Sequence, residues 1–147
     1  MKSLFDRNTQ QEIENRLANL KAISERQWGK MSVSQMLKHL EIAFAVPINK
    51  VTLPKENLQY LVANPIARKI IIDIVPWKKN MMTAKDFIVK EAPEFNKAKK
   101  EFTEVYNQFL NAQNLIGSHP IFGKMDKATW GKAMYKHLDH HLRQFGV

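Results

Sequence analysis

Residues 93–112 read PEFNKAKKEFTEVYNQFLNA. Phe95, Ala98, Phe102, Val105, Phe109 and Ala112 recur there at alternating spacings of three and four. That is the period of an α-helix with one apolar face; a strand would alternate at every second position. Tyr106 and Leu110 widen the stripe. A single amphipathic helix cannot bury its own face, so the rest of the chain must supply matching faces.

Three further long segments do so. Asn8, with Gln11 three residues later, is expected to cap a first helix carrying Ile13, Leu17 and Leu20. Ser32 with Gln35 repeats the capping-box signature, and Pro47 must end that helix. Its apolar face is Val33, Met36, Leu37, Leu40, Ala43 and Phe44. Asp126 is expected to cap a last helix after the turn-rich loop QNLIGSHPIFGKM. Between the second and third long helices lies a long crossover. Within it, Asn64-Pro65 starts a short helix, PIARKIIIDIV, that Pro76 ends. The β-branched run there favours a strand locally, but no second strand is visible to pair with it. The expected fold is therefore all-α: one domain over residues 1–147, a four-helix bundle with a short extra helix. The crossover is long enough for the second and third long helices to run parallel.

Composition narrows the chemistry. The chain has 147 residues, 44% of them hydrophobic and 25% charged, the balance of a globular protein. The first residues, MKSLFDRNTQQ, hold no apolar signal segment, and no apolar run reaches membrane-spanning length. With no cysteine, a disulfide framework, a thiolate zinc site and a cysteine nucleophile are all excluded. These features lead us to expect a cytoplasmic protein with no membrane partner. The net charge of +9 favours an anionic partner. Its basic residues are scattered over solvent faces without interleaved aromatics, so nucleic acid is not the expected one.

The stretch YKHLDHHLRQF, residues 135–145, holds three of the five histidines. At about 100° per residue, with Trp130 at zero, His137 falls near −20° and His141 near +20°, inside the apolar stripe. His140 lies at the rim, near −80°, while Lys132, Lys136, Asp139 and Arg143 fall on the solvent side. In the second helix His39 also lies within the apolar arc. Inward histidines can be hydrogen-bonded core residues, but each then needs its own buried partner. A pair at i and i+4, joined by a third imidazole from a facing helix, is better explained by one shared cation. The metal ligands expected are His39, His137 and His141.

No Glu-x-x-His pair and no His-Glu-x-x-His motif is present, which excludes the di-iron bundle and the metalloprotease pattern. What remains is a mononuclear three-histidine site with open positions, suited to zinc or nickel. Trp28 and Trp130, each followed by Gly-Lys, are expected to pack in the core, and His119 to shape the loop before the last helix. No general acid or base is assigned.

WGKMSVSQMLKHL, residues 28–40, and HPIFGKMDKATWGKAMYKHLDHHLRQFG, residues 119–146, resemble the DinB-like superfamily of metal-binding four-helix bundles. The resemblance is to a branch described only as a domain of unknown function. It implies a divalent metal on His39, His137 and His141. It places His140 at an extra histidine of the motif and Gln144 at the glutamine that follows. Characterised relatives imply a thiol-dependent S-transferase or isomerase, using a low-molecular-weight thiol such as bacillithiol. The partners would be a small-molecule thiol and an electrophile, and a homodimer is allowed. The alternative expectation is a non-catalytic bundle with a structural metal or none, acting as a binding protein.

Overall fold

The computed structural model describes residues 1–52, 64–81, 83, 85–119 and 121–147. Part of the expected crossover (53–63, 82 and 84) lies outside the described residues. Among the described residues four long helices dominate: α1 (Arg7–Asn19), α2 (Val33–Ala45), α4 (Phe95–Asn111) and α5 (Lys127–Gln144). The short α3 (Pro65–Lys69) continues into a π-helical turn, Ile70–Ile74, and a 3₁₀ turn spans Lys85–Phe87. No helix among the described residues is long and apolar enough to cross a membrane.

Side-chain chemistry sets where these helices start. At α2 the Ser32 hydroxyl accepts from the Gln35 N–H at 3.2 Å while the Gln35 side chain accepts from the Ser32 N–H at 2.9 Å. This reciprocal box satisfies two donors that a helix start leaves open. Asn64 caps α3 ahead of Pro65, Glu94 caps α4 and Asp126 caps α5. The first helix departs from expectation. It begins at Arg7 after Asp6, so Asn8 is inside the helix and caps nothing. A turn from Ser3 to Asp6 starts it early, and Gln11 bonds Asn15 instead.

The contacts fix the helix directions. Lys38 pairs with Glu101, Phe44 packs on Phe102 and Phe109, and the Pro47 carbonyl accepts from Ile116, so α2 and α4 run parallel. Leu4 bonds Gly131 and Arg16 pairs with Asp139, so α1 and α5 run parallel too. Phe5 stacks on Phe109 while Lys99 reaches the Leu20 carbonyl, which sets α1 against α4. Around the core the order is thus α1, α4, α2, α5, with one pair up and the other down. Where the strap before α1 crosses α5, a Cβ on Gly131 would collide with Ser3 and Phe5.

Every apolar position read from α1 and α2 is buried, and Ala98, Phe102, Tyr106 and Phe109 of α4 meet them. Phe95, Val105 and Leu110 pack at the edge of this core. Two expectations need correcting. The loop before α5 contains a minimal hairpin, β1 (Ser118–His119) against β2 (Gly123–Lys124). Lys136, expected in solvent, is only 7% exposed. The α3 segment lies over that face of α5, and the Lys136 ammonium donates to the carbonyls of Ile71 at 2.5 Å, Ile72 at 2.9 Å and also Val75. A cation at the carbonyl end of a helical segment satisfies groups that would otherwise lack donors.

Candidate metal centre

The antiparallel crossing of α2 and α5 brings His39 against His137 and His141. One ring nitrogen of each lies within 4.8 Å of those of the other two. The ring centroids of His39 are 5.0 Å from His137 and 4.8 Å from His141, and those of His137 and His141 are 4.9 Å apart. His39 and His141 are buried and His137 is half-buried. The three residues expected from helical periodicity thus converge.

Hydrogen bonds fix which nitrogens face the centre. The Phe87 carbonyl can only accept, so His39 Nδ1, 3.0 Å away, carries the proton and Nε2 presents a lone pair. The Gln144 amide donates to the Trp28 carbonyl at 2.9 Å, which turns its oxygen toward His141 Nδ1 at 2.8 Å. His141 therefore also carries its proton on Nδ1 and leaves Nε2 free. Buried acceptors behind metal-binding imidazoles orient the rings and raise their basicity.

His39 Nε2 and His137 Nε2 are 2.9 Å apart. Two lone pairs at that distance repel unless something electrophilic sits between or beside them. One solution is a proton on His137 Nε2. The other is a cation that both nitrogens would share, with His141 as the third ligand. The donor set fits a divalent ion of borderline softness.

Electrostatics agree with the requirement that ligands be neutral. Burial lowers the pKa of His39, against the opposing pull of the Phe87 carbonyl. Burial and the neighbouring His39 bring His141 down to about 3. His137 is pushed well below the ordinary imidazole range by burial and then by His141 and His39. His140 is lowered by burial and next by Arg143. It is buried beside the triad, its ring 5.3 Å from that of His141. His119 sits apart, in the hairpin, where its Nδ1 accepts from the N–H groups of Ile121 and Phe122.

Three features escaped the sequence. Trp28 is half-buried, lies outside the core and meets His140 edge-on at 5.7 Å; Trp130 is the fully buried one, as expected. Trp77, from the turn after α3, packs 5.5 Å from His137 and 6.2 Å from His140. Phe87, from the 3₁₀ turn, supplies the carbonyl behind His39. The repeated Trp-Gly-Lys string was a signal for Trp28; nothing local marks a backbone carbonyl. Gly29, at φ +81°, is where a side chain would run into the Gln144 amide. A cavity of about 250 Å³ opens beside the centre, walled in part by Trp28, Lys30, Asn80, Thr83, His140 and His141.

Comparison with known proteins gives one family. No curated protein and no solved structure matches the chain. A family model described as a protein of unknown function (DUF1569) matches residues 3–146. With the match running almost from end to end, the chain belongs to the DUF1569 family.

Proposed function

We propose that this protein is a DinB-like four-helix bundle holding one divalent metal ion, zinc or nickel, on His39, His137 and His141, and that it is a metal-dependent enzyme. The observation that carries this is the convergence of three neutral imidazoles, two of which, His39 and His141, have their far nitrogens tied to Phe87 and Gln144. Bound there, the ion would lower the pKa of a coordinated thiol or water and supply a nucleophile at neutral pH. The protein's own groups hold and orient the ligands, while Trp28 packs on His140 and Trp77 on His137. Three protein ligands leave coordination positions for substrate, as in catalytic sites. A chain without cysteine would take its nucleophile from a low-molecular-weight thiol such as bacillithiol, acting as an S-transferase or isomerase.

The test is turnover. Protein loaded with zinc or nickel should conjugate monochlorobimane to a small thiol, and His137→Ala should abolish it; undiminished turnover in that variant would contradict the proposal. A second reading draws on the 2.9 Å contact between His39 and His137, which one proton can satisfy without an ion. The protein would then be a non-catalytic binding bundle, and metal analysis separates the two.

A further inference from the structure

The metal ligands do not account for the lining of the cavity beside them. At about 250 Å³ it falls just under the usual range of small-molecule sites. Its polar lining includes Lys30, Asn80, Thr83 and Gln144, together with His140 and His141. Among the described residues no aspartate or glutamate lines it. Lys79 stands beside it, its ammonium 4.7 Å from the centre of the Trp28 ring. Among the described residues neither Lys30 nor Lys79 forms an ion pair, although lysines elsewhere on the surface pair with Glu12, Glu41, Glu101 and Asp73.

Trp28 adds an independent sign. Its indole N–H is buried and has no hydrogen-bond acceptor among the described residues. A buried donor left without a partner calls for an explanation, and an acceptor brought by a ligand is one. Lys30, Asn80 and Thr83 thus line one small space, with the Lys79 ammonium over the Trp28 ring at its edge and the orphan indole N–H buried behind it. A cation would meet like charge there. A neutral molecule would draw no attraction from the two exposed ammonium groups. A negatively charged, oxygen-rich group would meet donors on several sides.

We propose that this cavity binds a small molecule through an oxyanion, carboxylate or phosphate, held by Lys30 and Lys79 against Trp28, with its other end directed toward His141. That this molecule is a substrate rests on the proposed metal centre; the binding itself does not need the metal.

Isothermal titration calorimetry on the full chain, metal-free and zinc-loaded, tests this with succinate and inorganic phosphate as probes and neutral succinamide as control. At least one anion should bind saturably to both forms, and succinamide should not. Lys30→Met should weaken anion binding at least about tenfold, the scale of losing a charged contact. Trp28→Phe, which keeps a ring and removes the N–H, should also weaken it. Circular dichroism confirms that each variant is folded, and if Trp28→Phe is not, Lys30→Met decides alone. Failure of both anions to bind, equal binding of succinamide, or wild-type affinity in a folded Lys30→Met would each overturn the proposal. Anion binding without metal binding would sustain this cavity and refute the metal centre; metal binding without anion binding would do the reverse.

Discussion

Gln144 shows how a residue remote from the chemistry can govern it. Its amide joins the Trp28 carbonyl to His141 Nδ1, and so fixes both the tautomer and the angle of a proposed ligand. Replacing Gln144 by alanine should weaken zinc binding by about 10- to 100-fold, the usual cost of losing such an acceptor. Competition against a chelating dye would measure it, and an unchanged affinity would show that His141 needs no support. The three histidines were legible because the helical period turns each toward the apolar face, although His140, expected at the rim, is buried and His137 only half-buried. Their partners were not. Phe87 contributes a backbone carbonyl and an edge-on ring 5.8 Å from His39, both from a turn, and its place there depends on how the crossover folds back. Trp28 resembled Trp130 in its local string, yet only Trp130 sits within a long helix that fixes its orientation.

At the scale of elements, caps and periodic faces carried most of the information. The box at Ser32, Asn64 ahead of Pro65 and Asp126 act within a turn of where they occur, so local sequence suffices. The face of α5 that carries Lys136 behaves differently. A lysine at a polar position of the wheel is buried because the π-turn segment lies over it, a tertiary effect that periodicity does not contain. Lys136 ties α5 to the segment that delivers Trp77 to His137. Lys136→Met should therefore lower stability by about 1–3 kcal/mol, since it leaves carbonyls in the packed interface without their donor. Urea unfolding would read this as a lower midpoint at constant slope. A midpoint equal to wild type would mean that the α3 segment is held by its apolar contacts alone.

For the whole molecule, the histidines link stability to pH. His141, lowered to about 3, and His119, lowered to about 4, stay neutral in the folded chain while the unfolded chain protonates near pH 6.5. Below pH 6.5 the unfolded state binds more protons, so stability falls with decreasing pH by about 1.4 kcal/mol per unit for each such group. The loss levels off for each group at its folded value. Denaturation midpoints of metal-free protein should thus be flat above pH 7 and decline from pH 6.5 toward pH 4; a flat profile across that window would contradict the burial of these imidazoles. Folded ligands that stay neutral toward pH 3 would keep their metal through this window, so metal would be lost there only as the chain unfolds. The central claim is the metal itself. Elemental analysis of protein produced without a histidine tag, incubated with zinc and then dialysed, should find about one equivalent per chain, falling to background in His39→Ala and His137→Ala. Less than about a tenth of an equivalent in the wild-type protein, with refolding indifferent to chelator, would contradict it.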